Sequence, residues 1–316
     1  MRFFPIAGIL GALSLVSCTP DGPNYQPDPA NPLHAGLSGE KAYAHVEAMV
    51  AMGPRPAGSQ ALEKNRVYLE NELRAAGWEP QRQDFEAETP IGPIQFSNIR
   101  ARFPDSQESS HLWDRRAYLL VGSHYDTKRY TNIHFVGAND AGSSTGLLLE
   151  MARVAASEPE FAKHLELVFF DGEEAFVNFD EKDGLYGSRH YARNLIRRLD
   201  PQLRPEYVVV LDMVGETKLS ITLPADTPKF LANTLRSAAD ELGTRRYFGV
   251  WPTSITDDHI PFRDEGIAAI DIIDFDFKAW HTAKDTLDHV SAQSLEIVGQ
   301  TSIRFLEKLL TEPPEK

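Results

Sequence analysis

Residues 165–174 read Leu-Glu-Leu-Val-Phe-Phe-Asp-Gly-Glu-Glu, a short and mainly apolar run followed directly by acidic residues. A run of this length, rich in aliphatic and aromatic side chains, is typical of a buried strand. Three further runs have the same character: residues 117–121, 207–211 and 268–273, the last interrupted by Asp271. The four runs predict the buried strands of one sheet.

Segments with apolar residues at helical spacing lie before and between these strands. They are residues 40–52, 59–76, 143–156 and 227–242. Strands that alternate with helices favour an α/β fold, in which helices cover both faces of a parallel sheet. Residues 85–88 and 96–102 are predicted to add an antiparallel pair. The predicted fold is therefore a mixed, mostly parallel central sheet flanked by helices on both faces.

The first residues of the chain have the pattern of an export signal. Arg2 precedes an apolar stretch, residues 3–15, that is too short to span a bilayer. Ser17 stands directly before Cys18, and this arrangement resembles the lipobox of bacterial lipoproteins. An ordinary signal peptide with an incidental Cys is the alternative. We expect residues 1–17 to be removed and Cys18 to carry lipid, which would anchor an exported protein on the periplasmic side of a bacterial cell envelope.

The remainder of the chain divides into a linker and one domain. Residues 18–38 are polar and rich in proline, so they are predicted to form an extended tether. From Gly39 onward no second linker and no internal repeat interrupts the alternation of strands and helices. Residues 39–316 are therefore predicted to form a single catalytic domain.

Charge and cysteine content exclude two kinds of function. The chain has 32 basic and 46 acidic residues and a formal net charge of −14, so phosphate backbones would repel it. Nucleic acid is therefore excluded as a partner, and a lipid anchor would be the only link to a membrane. The 316 residues include one Cys, so zinc sites built from several thiolates are excluded as well. Any metal must be held by His and carboxylates.

Polar side chains follow every predicted strand at its carboxyl end. They are His124 and Asp126 after the first strand, Asp140 before the next helix, Glu173 and Glu174 after the second strand, Asp212 after the third, and His281 beyond the fourth. In open α/β sheets, ligands bind outside the carboxyl ends of the strands. Nitrogen and oxygen ligands with a spare carboxylate suit a hydrolytic or Lewis-acid zinc site. Any one of these residues alone would be an ordinary helix cap or loop residue, so the prediction depends on their coincidence.

In this order, these residues resemble the motif set of the zinc aminopeptidase superfamily, which also contains the animal-type glutaminyl cyclases. The resemblance extends over about residues 39–312. It implies that Asp140, Glu174 and His281 hold one zinc ion and that Glu173 is the general acid and base.

The same resemblance leaves the number of zinc ions open. His124 and Asp212 match the residues that complete a second zinc site in dinuclear aminopeptidases, with Asp140 bridging the two ions. The glutaminyl cyclases keep these residues but are described with one zinc. Asp126 would orient His124, because metal-bound imidazoles usually donate their other N–H to an acceptor.

Several stretches are closer to the cyclases than to the peptidases. They are residues 96–99, 123–128, 135–138, 169–176, 185–190, 257–262 and 280–282. By this resemblance Asp257 joins Glu173 and Asp212 in a proton network, and Trp280 forms a wall of the substrate pocket. Phe277 is expected to line the same pocket, and His259 to order its wall rather than to bind metal.

Other positions depart from the cyclase pattern. Phe179 stands where animal cyclases have a second pocket tryptophan, and Thr256 where they have a substrate-binding glutamine. Residues 282–288 are closer to the aminopeptidases. These departures concern substrate preference more than chemistry, since kinship of fold does not determine function.

The predicted function is therefore zinc-dependent cyclisation of the N-terminal glutamine of peptides to pyroglutamate, with release of ammonia. This is an acyltransferase reaction on peptides that have a free N-terminus. The alternative is a dinuclear zinc aminopeptidase that removes N-terminal residues. A binding lipoprotein without activity is a third hypothesis, although every ligand and the candidate base are present.

Overall fold

The computed structural model describes Pro23 and residues 25–105, 111–194 and 196–312 of the chain. The strands in these ranges are β1 (Glu79–Thr89), β2 (Gly92–Arg102), β3 (Leu119–His124), β4 (Leu165–Phe170), β5 (Tyr207–Asp212), β6 (Ile221–Leu223), β7 (Phe248–Val250) and β8 (Ala268–Ile273). The α-helices are α1 (Gly39–Ala51), α2 (Gln60–Ala75), α3 (Gly142–Ala156), α4 (Pro159–Ala162), α5 (Tyr186–Asn194), α6 (Lys229–Glu241), α7 (Ile260–Asp264) and α8 (Ala292–Thr311).

Six of the strands form one sheet in the order β1-β2-β4-β3-β5-β8. The four strands β4, β3, β5 and β8 are parallel, and β1 and β2 add an antiparallel hairpin at one edge. β6 and β7 form a separate small parallel sheet. The predicted mixed, mostly parallel sheet is confirmed.

Alternate side chains of the central strands enter hydrophobic cores on opposite faces of the sheet. Leu119 and Val121 of β3 belong to a large cluster that includes residues of α1, α3, α6 and α8. Leu120, between them, belongs to a second cluster with residues of α5 and α7. Because side chains on a strand point alternately to the two faces, both faces are covered by helices, as predicted.

Helix α3 is held close to α1, and this contact positions the segment that precedes α3. A Cβ atom on Gly146 would lie 2.8 Å from the carbonyl oxygen of Ala42, so only glycine permits the observed approach of the two helices. Helix α3 begins at Gly142, two residues after Asp140. The packing of α3 therefore fixes where the Asp140 segment lies.

The tether predicted for residues 18–38 includes residues at its carboxyl end that pack on the domain. The side chain of Tyr25 is 3% exposed, and its hydroxyl donates to Glu307 Oε1 of α8 at 2.8 Å. Its ring packs 5.3 Å from that of Phe161, and Leu37 is also buried in the large core cluster. These two apolar side chains give the segment enough buried surface to pack on the domain. The expectation of an extended tether is therefore wrong for the part that begins at Tyr25.

The proposed signal segment and Cys18 lie outside the described residues. None of the helices in the described part of the chain combines the length and the apolar character that a membrane span requires.

Candidate metal centre and active site

The predicted site residues meet at the carboxyl edge of the sheet. Strand β3 ends at His124 and its neighbour β5 ends at Asp212. The chain leaves β3 toward β4 on one side and later returns to β5 on the other side, so the strand order reverses here. Such a switch point opens a crevice at the strand ends in which ligands bind.

One group of potential metal ligands consists of Asp140, Glu174 and His281. The Nε2 atom of His281 lies 3.0 Å from Glu174 Oε1 and 3.3 Å from Asp140 Oδ2. One ligand atom from each of the three residues lies within 4.8 Å of the others. The structure thus brings together the three residues that the sequence predicted for the first zinc.

A second group consists of His124, Asp140 and Asp212. The Nε2 atom of His124 lies 3.2 Å from Asp140 Oδ1 and 3.2 Å from Asp212 Oδ1. Asp140 therefore belongs to both groups and presents one oxygen to each imidazole.

The chemistry of these side chains fits a metal ion. Asp140, Glu174 and Asp212 are buried carboxylates. Each belongs to a group of potential ligands whose ligand atoms lie within 4.8 Å of one another. The buried Asp140 Oδ2 accepts no well-aligned hydrogen bond among the described residues, although His281 Nε2 lies 3.3 Å away. Burial opposes ionisation of Asp140, but His124 and His281 outweigh it and hold the pKa of this carboxyl below its usual value. Several buried carboxylates that lie this close together are stabilised by a bound cation.

Two buried residues hold the Asp140 segment in place. Asp285 accepts hydrogen bonds from the backbone N–H groups of Asn139 at 2.7 Å and Asp140 at 3.0 Å. Arg55, fully buried, donates to the carbonyl oxygens of Val136 at 2.7 Å and Gly137 at 3.1 Å. The potential ligand therefore sits on a segment whose backbone polar groups are largely satisfied by these charged side chains.

Asp126 lies closer to the backbone of Glu173 and Glu174, the acidic pair after β4, than to the imidazole of His124. Its Oδ1 accepts the N–H of Glu173 at 3.1 Å, and its Oδ2 accepts that of Glu174 at 3.4 Å. Its Oδ1 lies 3.5 Å from Nδ1 of His124. The predicted orienting residue thus also fixes the backbone on which the candidate base and one candidate ligand stand.

Glu173 is the spare carboxylate of the site. It is 8% exposed, lines the same cavity as Asp140 and Glu174, and belongs to neither group of potential ligands. Burial raises its pKa well above the usual value. The charge of His124 opposes this rise, whereas those of Glu174 and Asp257 add to it. A buried carboxyl with a raised pKa can hold and return a proton.

Asp257 and Asp212 face the same cavity. Burial raises the pKa of Asp257 well above its usual value, and the charges of Asp212 and Asp258 raise it further. Burial also raises the pKa of Asp212, although His124 opposes that shift. Electrostatic interactions therefore connect Asp257 to Glu173 and to Asp212, the other two members of the predicted proton network.

Sequence reasoning missed part of the buried polar cluster beneath Asp257. Asp271 of β8 is fully buried, its two oxygens have no hydrogen-bond partner among the described residues, and Asp258 next to Asp257 is equally buried. His259 is buried 3.7 Å from Asp271, and burial lowers its pKa to about 3. His259 does not line the cavity, and no potential metal group within the described ranges includes it. The sequence pattern that could have identified Asp271 is an acidic residue within an otherwise apolar strand.

Lys128 is a further residue of the site that sequence reasoning did not single out. It lines the cavity, and its Nζ atom lies 3.2 Å from Glu174 Oε2. It also donates to the carbonyl oxygen of Ala175 at 3.1 Å. This ammonium group helps to compensate the acidic charge around Glu174.

The cavity has a volume of about 470 Å³ and an aromatic rim. Trp280 and Phe179 line it, as predicted, and each is 41% exposed. Phe277 does not line it: this side chain is buried in a small core cluster with Met213. Phe275 lines the cavity instead. Turns interrupt the chain after β8, so the direction of a side chain there does not follow from strand alternation.

Comparisons with known proteins agree with this geometry. Residues 98–306 match the model of peptidase family M28. A glutaminyl-peptide cyclotransferase-like protein of Bos taurus is 31% identical over 285 residues, which cover 81% of this chain and 72% of the relative. A glutaminyl-peptide cyclotransferase of Drosophila melanogaster is 28% identical over 276 residues, which cover 78% of this chain and 75% of the relative.

Solved structures of related enzymes also superpose well on this chain. A glutaminyl cyclase from an Acidobacteriales bacterium superposes with a TM-score of 0.79 at 29% identity, covering 91% of this chain and 97% of that one. A zinc-dependent exopeptidase from Parabacteroides distasonis superposes with a TM-score of 0.75 at 28% identity, covering 85% and 98%. The chain therefore belongs to peptidase family M28 and, within that family, to the group of the glutaminyl-peptide cyclotransferases.

Proposed function

We propose that the protein cyclises the N-terminal glutamine of peptides to pyroglutamate and releases ammonia. The observation that carries the proposal is the placement of Glu173, a buried carboxyl outside both potential metal groups but in the cavity that they line. The names of the relatives and of the superposed structures support the same reaction.

The metal in this proposal is zinc, held by Asp140, Glu174 and His281. Bound zinc would supply a Lewis acid that polarises the carbonyl of the glutamine side-chain amide and stabilises negative charge on its oxygen. The imidazole and carboxylate donors suit zinc, which is commonly bound by such ligands in catalytic sites. His124 and Asp212 would serve a second ion if one is bound.

The substrate supplies its own nucleophile. Its α-amino nitrogen attacks the side-chain amide carbon, and the bond from that carbon to the amide nitrogen then breaks. Glu173 takes one proton from the attacking amine and gives it to the leaving nitrogen, so ammonia departs and a five-membered lactam remains. Burial raises the pKa of Glu173, and the charge of Asp257 adds to this rise, which suits Glu173 to take up a proton and return it.

The aromatic residues of the cavity would bind the substrate side chain and exclude water. Trp280 stacks on His281, with ring centroids 4.3 Å apart, and so stands directly beside a proposed ligand. Phe179 and Phe275 contribute further apolar surface. Exclusion of water favours attack by the amine over hydrolysis of the amide.

The reaction is tested by product analysis on a peptide that begins with glutamine. Incubation with the purified zinc-loaded protein should release ammonia and leave a blocked N-terminus, with every peptide bond intact. Mass spectrometry together with an ammonia assay measures both products. A freed first residue, with peptides that begin with Leu or Ala cut as readily, would contradict the cyclase proposal.

That second outcome would favour a dinuclear aminopeptidase. The observation behind this alternative is the complete second ligand group of His124, Asp140 and Asp212. In such an enzyme Glu173 would take a proton from water rather than from an amine. The proposed metal ligands would be retained, whereas the role of Asp257 in cyclisation would be withdrawn.

We also propose that the protein is exported and anchored by lipid on Cys18, because the apolar stretch of residues 3–15 ends shortly before this single Cys. The wild-type protein should partition with membranes, and its N-terminal peptide should carry lipid by mass spectrometry. Cys18→Ala should lose both properties, whereas Ser14→Ala in the apolar stretch should keep them. A wild-type protein with an unmodified N-terminus in the soluble fraction would contradict the anchor.

A further inference from the structure

A third group of acidic side chains lies outside the metal groups described above. It consists of Glu216, which follows β5, and of Asp274 and Asp276, which follow β8. One carboxylate oxygen from each residue lies within 4.8 Å of the others. Three like charges at this separation repel one another strongly unless something positive lies between them.

The burial of Asp274 distinguishes this group from an ordinary solvent-exposed acidic patch. Its side chain is 0% exposed, and its Oδ1 has no hydrogen-bond partner among the described residues. Its Oδ2 accepts one bond, from the backbone N–H of Ser220 at 3.3 Å. Burying a carboxylate oxygen without a partner is costly, so the structure leaves a place for a proton or a cation at Oδ1.

The surroundings do not supply a compensating positive side chain. Burial raises the pKa of Asp274 to about 9, and Asp276 and Glu216 raise it rather than lower it. Lys218 and His289 act electrostatically on Glu216, but neither forms an ion pair with the three carboxylates within the described ranges. Without a cation Asp274 therefore holds a proton, and a cation bound between the three carboxylates would take the place of that proton.

We propose that Glu216, Asp274 and Asp276 bind a calcium ion. All three donors are carboxylates, and a site built from oxygen without nitrogen or sulfur selects a hard cation. Calcium accepts several carboxylates in a flexible geometry, whereas magnesium demands a near-ideal octahedron and keeps most of its water. Calcium sites of exported proteins often bind in the range of about 10⁻⁴ to 10⁻³ M.

The position of this site connects it to the cavity wall. Asp274 and Asp276 flank Phe275, which lines the cavity and contacts Trp280 with ring centroids 5.5 Å apart. Glu216 lies on the segment that continues from Asp212. A calcium ion held by the three carboxylates therefore joins the two segments that carry these cavity residues, and it stabilises the aromatic wall.

The test is a calcium titration of the zinc-loaded full chain, with thermal unfolding measured in parallel. The wild type should bind one calcium ion by calorimetry, and saturating calcium should raise Tm by about 3 °C or more. Magnesium at the same concentration should produce a much smaller shift. Because neither measurement uses turnover, the result is independent of the test of the proposed reaction.

Two substitutions locate the ion. Asp276→Asn and Glu216→Gln keep the size of each side chain and should each weaken calcium binding by about tenfold or more, since each removes a charged ligand. Asp288→Asn, an exposed acid outside the group, should bind calcium like the wild type. The proposal is overturned if the wild type binds no calcium at about 10 mM, well above the range of such sites. It is also overturned if both variants bind calcium unchanged or if magnesium alone binds.

Discussion

Glu173→Gln should lower kcat by about a hundredfold to ten-thousandfold, the usual contribution of general acid–base catalysis. Glutamine has nearly the same volume as glutamate but cannot take a proton from the attacking amine. Bound zinc should remain, because Glu173 belongs to neither potential metal group and its contact with Asp126 is made by its backbone N–H. Steady-state kinetics on a glutamine-initiated peptide and metal analysis of the same sample measure the two properties.

The matched control for this substitution is Glu181→Gln. Glu181 is an exposed acid on the same loop, outside the cavity of about 470 Å³, so its replacement should leave kcat and metal content unchanged. A Glu173→Gln protein that keeps its metal and turns over like the wild type would show that another group moves the proton. Loss of metal together with activity would instead show that Glu173 is needed for the metal centre.

The buried strands could be predicted from sequence because they are apolar on both faces. Residues 165–170 and 268–273 were predicted with the observed bounds, and each run ends where an acidic residue, Asp171 or Asp274, follows it. Strand β3 was predicted to end at Val121 but continues to His124, which pairs with Phe170 of β4. The polar residues at that end are used by the site, so hydrophobicity alone could not include them.

The strands of the hairpin at the edge of the sheet are longer than the sequence predicted. Strand β1 spans Glu79–Thr89, although residues 85–88 were predicted, and β2 begins at Gly92. Strand β1 has no fully buried position, because it is an edge strand with solvent beside it. Without a buried face, the pattern of alternating polarity that identifies a strand is weak.

The candidate ligands were predictable, whereas their supports were not. His124, Asp212 and Glu174 follow strands closely, so the parallel order of the sheet places them at one edge. Arg55 and Asp285 act through hydrogen bonds to the backbone around Asp140, and such contacts between distant residues leave no local pattern. The sequence therefore predicted which residues meet but not what holds them there.

His281→Ala should remove most of the bound zinc and lower kcat/KM by more than about a hundredfold. Loss of a residue that only orients a metal ligand typically costs 10- to 100-fold in affinity or activity, and His281 is proposed as a ligand itself. Its Nε2 lies 3.0 Å from Glu174 Oε1 and 3.3 Å from Asp140 Oδ2, and among the described residues it is the one imidazole in this group of potential ligands. Metal analysis by mass spectrometry and kinetics on a glutamine-initiated peptide check the expectation.

Two further substitutions allow the same experiment to determine the number of bound zinc ions: His124→Ala tests the second group of ligands, and His134→Ala is the control. His134 is exposed and belongs to neither potential metal group, so its replacement should change nothing. If the wild type holds one zinc, His281→Ala should lose it, whereas His124→Ala should keep most of it. If the wild type holds two, each of these substitutions should remove about one ion, because His124 and His281 stand in separate groups that share Asp140. Full zinc content and full activity in His281→Ala would contradict the assignment of the first site, because the metal would then have to be held by the group of His124, Asp140 and Asp212.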